Sequence, residues 1–218
     1  MTLQNRVTPF GEILALPQRG TMMGNRGGRI HDADRRLGRR RWASKAWICC
    51  LLAFKGRREV VMAPGHYTQL FFLDEATALA AGHRPCALCR RPDFNRFMDL
   101  IGDVLGANRR PLVAEADAIL HRERVGSDGG KRLARASARD LPPGSFVSLL
   151  DGSPCLVTGE GLRPWSAGGY LASLPMPDGE VDLLTPPTIV EVLRRGYRPG
   201  IHASAGDAAG DTGPPFGL

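Results

Sequence analysis

Two cysteines separated by two residues, Cys86 and Cys89, are the residues of this 218-residue chain best suited to chemistry. Thiolates at this spacing on a tight turn can bind one tetrahedral Zn²⁺ ion. The N–H groups of the turn and the N-terminus of a following helix favour deprotonated sulfurs. One such pair is half of a zinc site, so further donors must come from elsewhere. Two other interpretations stay open, namely a redox pair, which usually sits in a βαβ unit, and two buried thiols.

The missing donors are expected on a predicted strand and in a loop. Residues 45–54 have the pattern of a buried strand, and they contain Cys49 and Cys50. Because successive side chains of a strand face opposite sides, at most one of the two reaches the site, and we predict Cys50. His31, in a Gly- and Arg-rich loop, is the predicted histidine ligand, with His66 as the alternative. The predicted metal ligands are therefore Cys86, Cys89, Cys50 and His31.

Several short elements must position these residues. Asp74 is suited to cap a helix that ends at Gly82. Pro92 suits the first turn of a second helix, whose apolar residues recur at intervals of three and four. The strand at 45–54 is expected to pair with 57–62 across the turn at Lys55 and Gly56. In this half of the chain the sequence predicts strands at 12–16, 45–54, 57–62 and 67–73 and helices at 75–81 and 92–105.

The segments LFFLDEA (70–76) and AAGHRPCALCRRPD (80–93) resemble the second half of the metal-binding domain of Ada-type DNA alkylation-repair proteins. The resemblance covers about residues 67–93, and it implies a small zinc-containing α/β module that lies against the DNA backbone. The two upstream cysteines of the family pattern have no counterpart between Lys55 and Leu70, so methyl transfer is not implied. The whole chain also resembles uncharacterised bacterial proteins of similar length, a resemblance that implies no activity.

The charge of the chain favours an anionic partner. Its 29 Lys and Arg residues exceed its 22 Asp and Glu residues, for a net charge of +7. The excess concentrates between residues 26 and 58, where Asp32 and Asp34 are the only acids and where Trp42 and Trp47 lie among the arginines. Such a field attracts phosphates, although basic segments are also common as solvated surface. The residues predicted to bind nucleic acid are Arg26, Arg29, Arg40, Arg41, Lys45, Arg84, Arg90 and Arg91.

Chain length and the order of the predicted elements favour an α+β protein. Together with the resemblance, they predict a small Ada-like zinc-binding α/β module followed by a C-terminal β-rich unit. The second half has strand patterns near 145–150, 154–158 and 180–184, a helix pattern at 187–195, and a possible recognition loop at 162–170. The predicted organisation is an N-terminal module at 1–110, a helical and polar connector at 111–139, a β-rich unit at 140–202 and a disordered tail at 203–218.

Compartment and function follow as expectations. The sequence has no apolar run long enough to span a membrane and no secretory leader, and its five cysteines form a poor disulfide framework, so we expect a cytoplasmic protein. The favoured hypothesis is a nucleic-acid-binding protein, with DNA as partner, stabilised by a structural Zn²⁺. One alternative is a protein-interaction module that binds through 140–202. Another is a metal-dependent enzyme acting on nucleic acid, for which His31 beside Asp32 and Asp34 could supply acid–base groups but no catalytic residue is assigned.

Overall fold

A computed structural model describes residues 2–56 and 59–206. Within these residues, two sheets of six strands each are combined with four α-helices. The first half of the chain contains β1 (Arg6–Val7), β2 (Ile13–Leu14), β3 (Met22–Arg26), β4 (Trp47–Leu51), β5 (Leu70–Phe72), α1 (Glu75–Ala80), β6 (Arg84–Pro85) and α2 (Arg91–Val104). The second half contains α3 (Val113–Arg124), β7 (Ala134–Ser137), β8 (Phe146–Ser148), β9 (Pro154–Val157), β10 (Leu162–Ser166), β11 (Gly169–Tyr170), β12 (Glu180–Leu183) and α4 (Pro187–Arg194). The predicted α+β class is confirmed.

The N-terminal sheet has the strand order β2-β1-β5-β3-β4-β6. The predicted pairing of 45–54 with 57–62 is wrong, because β4 pairs antiparallel with β3 and parallel with β6, and residues 59–62 form no strand. The glycine of β3 permits this close pairing, since a Cβ on Gly24 would meet the Ile48 carbonyl oxygen at 2.1 Å. Strand β3, which lies between β5 and β4 in this sheet, forms the start of the Gly- and Arg-rich stretch that the sequence predicts to be a loop.

Helix α1 is short and fully enclosed. The Asp74 carboxylate accepts hydrogen bonds from the backbone N–H of Thr77 at 2.8 Å and from its hydroxyl at 2.7 Å, which confirms the predicted cap. All six residues of the helix are buried. At the other end Gly82 takes φ +88°, a left-handed conformation suited to glycine, and turns the chain into β6.

A helical layer joins the two halves. Phe97, Met98 and Ile101 of α2 share one core with Leu120 of α3 and with apolar residues of α4. Because α4 follows the last strand of the C-terminal sheet, the predicted β-rich unit contributes to the core of the N-terminal module.

The C-terminal sheet is antiparallel, with the order β11-β10-β9-β8-β12-β7. Its edge strand β7 lies within the predicted connector 111–139, where helix α3 is also found. The predicted recognition loop at 162–170 is instead a hairpin of β10 and β11, in which Trp165 pairs with Tyr170.

The predicted N-terminal module and the predicted β-rich unit share hydrophobic cores. Leu73 and Ala76, beside and within α1, pack with Phe146, Leu156 and Tyr170 of the C-terminal sheet. Of the predicted tail, residues 203–205 form a 3₁₀ turn with Ala205 buried, and residues 207–218 lie outside the described residues.

Candidate metal centre

Three cysteines from two separate segments meet at one end of β4. The Sγ atoms of Cys50, Cys86 and Cys89 all lie within 4.8 Å of one another. A tetrahedral zinc ion with Zn–S bonds near 2.3 Å would hold its sulfurs about 3.8 Å apart, so shifts of about 1 Å or less would complete this geometry. Cys50 and Cys86 are buried and Cys89 is partly exposed. The arrangement is therefore a possible metal site.

Parallel pairing of β4 with β6 brings the two segments together. Ile48 lies opposite Arg84 and Cys49 opposite Pro85, and the backbone N–H of Cys86 donates to the Cys49 carbonyl at 2.9 Å. The next residue of each strand is then Cys50 and Cys86. A tight turn follows, which the Arg90 N–H closes on the Cys86 carbonyl at 3.1 Å, and this turn returns Cys89 to the same place.

Strand alternation separates the two adjacent cysteines of β4. Cys49 faces the core of the N-terminal sheet, packed with Leu70 and Phe72, whereas Cys50 faces Met23 and Cys86. Burial raises the pKa of the Cys49 thiol, although the guanidinium of Arg90 at 3.9 Å acts in the opposite direction. Cys50, and not Cys49, is thus the third cysteine of the cluster.

The three thiols lie close enough to form hydrogen bonds with one another. The pKa of the Cys86 thiol is lowered, mainly because the thiols of Cys50 and Cys89 donate hydrogen bonds to its sulfur. The backbone N–H of Leu88 also donates to this sulfur at 3.4 Å. The pKa of Cys50 is raised, first by its hydrogen bonds to Cys86 and Cys89 and then by burial. A metal cation would displace these protons and bind the thiolates directly.

His31 does not belong to the cluster. Its Nδ1 lies 2.6 Å from the Thr68 hydroxyl and its Nε2 lies 3.2 Å from the Ala63 carbonyl, so both ring nitrogens have partners. The side chain is buried and ties its loop to the segment before β5. Nor does His66, the alternative, join the three sulfurs; among the described residues no fourth His, Cys, Asp or Glu lies with them.

Three of the arginines predicted to bind nucleic acid are buried and bound to other parts of the chain. Arg84 forms a two-pronged ion pair with Asp117 at 2.7 and 2.9 Å. Arg90 donates to Glu75 at 2.8 Å, and Arg26 donates to the Gly11 carbonyl at 2.7 Å. These three guanidinium groups are therefore buried away from the exposed basic surface, and their predicted contact with nucleic acid stays a prediction.

The other five predicted residues are exposed. Neighbouring arginines of the same loop are exposed as well, so a basic surface covers much of 29–45. Trp42 is half-buried at the edge of this basic surface, whereas Trp47 is buried. The guanidinium carbon of Arg26 lies 3.9 Å from the ring centroid of Trp47. The exposed residues are Arg29, Arg40, Arg41, Lys45 and Arg91.

Two further cations, Arg124 and Lys131, lie near Arg26 and Trp47, and neither is predicted from the sequence as a binding residue. Arg124 is the last residue of α3, and its guanidinium carbon lies 4.0 Å from the Trp47 ring centroid. No local pattern distinguishes it from the exposed arginine two residues earlier, since its burial depends on the distant turn at Gly82.

None of the described helices has the length and apolar character needed to cross a membrane. Comparison with protein-family models, with curated proteins and with solved structures found no match for this chain.

Proposed function

We propose that the protein binds DNA through the basic surface of residues 29–45 and that Cys50, Cys86 and Cys89 hold a structural zinc ion at the far end of β4. The observation that carries the metal proposal is the meeting of three sulfurs within 4.8 Å from segments that lie far apart in sequence. Soft thiolate donors in this number select zinc among the common divalent ions of cells.

The position of the cluster explains what the ion would stabilise. The loop that carries the basic surface lies between β3 and β4, and β4 ends at the cluster. An ion bound to Cys50 on β4 and to Cys86 and Cys89 after β6 would link these strands at one end. The loop enters β4 at Trp47, the end of the strand opposite Cys50, so the ion would hold the strand that carries the loop while the exposed arginines supply affinity for phosphate.

Metal analysis of purified protein tests the first half of the proposal. Wild type is expected to carry about one zinc ion per chain, as in Cys₃-type structural sites completed by a fourth ligand. Cys86→Ser and Cys50→Ser should lose it, and Cys155→Ala, which changes a buried cysteine of the C-terminal sheet, should keep it. Equal metal content in all four proteins would contradict the assignment.

Salt dependence of binding tests the second half. Affinity for a labelled DNA duplex, measured by fluorescence anisotropy, should fall steeply with salt because each neutralised phosphate releases counterions. The double variant Arg40→Gln/Arg41→Gln should flatten the slope of log K against log salt by roughly 1 to 2. Arg195→Gln, an exposed arginine after α4, is the control and should leave the slope unchanged. Binding that ignores salt, or that both variants weaken equally, would refute the surface.

One observation favours a second candidate, a metal-dependent enzyme acting on nucleic acid. Only three protein donors meet among the described residues, and sites with three protein ligands and an open position are typical of catalytic zinc. Cobalt substitution separates the two candidates, since the visible spectrum of Co²⁺ reports its ligands. A spectrum that shifts when azide is added indicates an open position, and one that ignores azide indicates a closed, structural site.

A further inference from the structure

A second site lies on the other side of β4 from the cysteine cluster. A cavity of about 350 Å³ opens between the segment around β2, the start of β4 at Trp47 and the turn after α3. Cations and tryptophans line one part of the cavity, and Gln4, Phe10, Glu12 and Ile13 line another. The cations and tryptophans that line the cavity are Arg26, Arg41, Trp42, Trp47, Arg124 and Lys131.

The cations of this cavity have neutral partners. Arg26 donates to the Gly11 carbonyl at 2.7 Å, Arg124 donates to the Lys45 carbonyl at 2.6 Å, and the ammonium group of Lys131 donates to the Ala80 carbonyl. Glu12 is the one acid among the residues that line the cavity. Its carboxylate accepts from the Thr8 hydroxyl at 3.5 Å, and no ion pair joins it to these cations in the described part of the chain.

Such a group of charges is unfavourable without an anion. Burying a cation without an opposite charge is costly, and each additional like charge adds repulsion. Burial and the neighbouring arginines lower the pKa of Lys131 to about 7, and burial followed by repulsion from Arg41 lowers the pKa of Arg26 to about 9. Arg124 Nε is buried and has no hydrogen-bond partner among the described residues. The cavity thus contains one donor without a partner, Arg124 Nε, and positive charge that no ion pair balances among the described residues.

The aromatic residues add a second kind of recognition. The guanidinium carbons of Arg26 and Arg124 both lie within 4.0 Å of the Trp47 ring centroid, which fixes their position. Trp42, 6.0 Å from Trp47 between ring centroids, stands at the entrance. A groove lined by residues 39–43 and 128–130 continues from this entrance, so the exposed arginines lead into the cavity. Aromatic surface beside buried cations suits a ligand with a phosphate and a planar ring.

We infer that this cavity binds the phosphomonoester of a nucleotide, with the phosphate against Arg26, Arg124 and Lys131 and the base against Trp42. The phosphate can belong to a free nucleoside monophosphate or to the phosphorylated 5′ end of a DNA strand lying in the groove. The second source rests on the proposed DNA binding, whereas the first does not. A dianionic phosphate supplies the charge that the cavity lacks and accepts several hydrogen bonds at once.

Thermal melting with adenosine monophosphate is the primary test. Sodium chloride at equal ionic strength and adenosine at equal concentration are the controls. The nucleotide should raise Tm with increasing concentration, as a ligand of the folded state does, and adenosine should not. A melting temperature that follows ionic strength alone would overturn the inference, whether or not the protein binds DNA.

Two lysine variants locate the site. Lys131→Met removes a cation of the cavity and should weaken the nucleotide affinity measured by calorimetry roughly 10-fold or more, the effect of losing one charge-assisted hydrogen bond. The fold should survive, because the variant also removes a half-buried ammonium group that Arg26 and Arg124 repel. Lys55→Met, an exposed lysine that does not line the cavity, should bind as wild type does. Equal affinities in the two variants would place binding elsewhere and overturn the inference.

Two oligonucleotides then identify the source of the phosphate. In wild type, a single strand with a 5′-phosphate that binds more tightly than its unphosphorylated copy identifies a strand end as the ligand, provided that Lys131→Met removes the difference. Equal binding of the two strands, with nucleotide binding still dependent on Lys131, identifies the free nucleotide. Failure of both strands to bind would exclude a strand end as the ligand and leave the nucleotide site standing.

Discussion

At the scale of single residues, arginine has three roles in this protein. Arg84 and Arg90 neutralise buried carboxylates, Arg26 and Arg124 stack on Trp47 against backbone carbonyls, and Arg40 with its neighbours is exposed. The guanidinium suits all three because it is planar, keeps its charge over a wide pH range and offers five donors. Residue type alone therefore does not indicate which arginine meets a ligand.

The first prediction concerns the buried ion pair of Arg84. Arg84→Met should destabilise the fold by about 3–5 kcal/mol, because it leaves the Asp117 carboxylate buried without its partner. Arg91→Met removes an exposed arginine and should change stability by about 0.5 kcal/mol or less. The urea midpoints of the two variants give the comparison. Similar midpoints would show that the ion pair contributes little to stability.

The second prediction concerns pH and Lys131. The pKa of this lysine is about 7 in the folded protein against 10.5 for an unperturbed lysine, so the unfolded chain binds more protons between these values. Its unfavourable contribution is therefore fully present below pH 7 and declines as pH rises towards 10.5. Lys131→Met should melt above wild type at pH 6, and this advantage should shrink by pH 9.

The melting temperatures of wild type and Lys131→Met are measured at both pH values. Arg26, Arg124 and Glu12 are present in both proteins, so the difference between the two melting temperatures reports on the titration of Lys131. Each 1 kcal/mol corresponds to roughly 2–4 °C in a chain of this size. An advantage of the same size at pH 6 and pH 9 would show that Lys131 does not lose its proton in this interval.

At the scale of elements, β4 organises both candidate sites. One end of the strand, at Trp47, supports the arginine cavity, and the other end, at Cys50, supplies the third thiolate of the metal centre. The strand can serve both sites because its neighbours β3 and β6 hold it on both edges. The turn between α1 and β6 is equally important, since it sets the position of β6 and touches Arg124.

The third prediction tests this turn. Gly82→Ala places a Cβ 2.4 Å from Arg124 Cδ, and the φ of +88° is itself unfavourable for alanine. Gly106→Ala is the matched control, because Gly106 also has a positive φ, +60°, but a Cβ there meets no atom within 4 Å. The control should lose about 1–2 kcal/mol from backbone strain alone. Gly82→Ala should lose about 1–3 kcal/mol more from overpacking, measured by urea unfolding. Equal losses would mean that Arg124 moves aside freely.

At the scale of the whole molecule, helix α1 connects the two sheets. Tyr197 donates to Glu75 at 2.6 Å, and Tyr170 and the backbone N–H of His202 donate to Asp74 at 2.7 and 2.9 Å. These bonds lie beside the apolar core that α1 shares with the C-terminal sheet. Buried hydrogen-bonded networks of this kind tie distant segments into one cooperative unit.

The fourth prediction follows from this shared core. Residues 1–110 produced alone should not melt cooperatively, because α2 would expose Phe97, Met98 and Ile101, which pack against α3 and α4 in the full chain. Circular dichroism on heating and the dispersion of amide NMR signals check this, with the full chain as control. A sharp melting transition of the piece would show that the N-terminal module folds by itself.

The local elements around the cysteines could be read from the sequence. The helix predicted at 75–81 is Glu75–Ala80, the helix predicted at 92–105 is Arg91–Val104, and Asp74 caps the first as expected. These features depend on neighbours a few residues away, through capping, periodicity and the conformation of glycine. Strand alternation likewise predicted that only one of the two adjacent cysteines of β4 would face Cys86 and Cys89.

Strand pairing, ligand identity and arginine burial depend on contacts between distant segments, which the local sequence does not show. The partner of β4 proved to be β3 and not 57–62, His31 is held by Thr68 and Ala63, and Arg26 and Arg84 are buried. An exposed and a buried arginine have the same local sequence signal, because burial is set by whichever carboxylate, carbonyl or ring arrives from elsewhere in the chain. For that reason the sequence predicts the thiolate chemistry of Cys86 and Cys89, whereas the cavity of Arg26, Arg124 and Lys131 exists only in the folded protein.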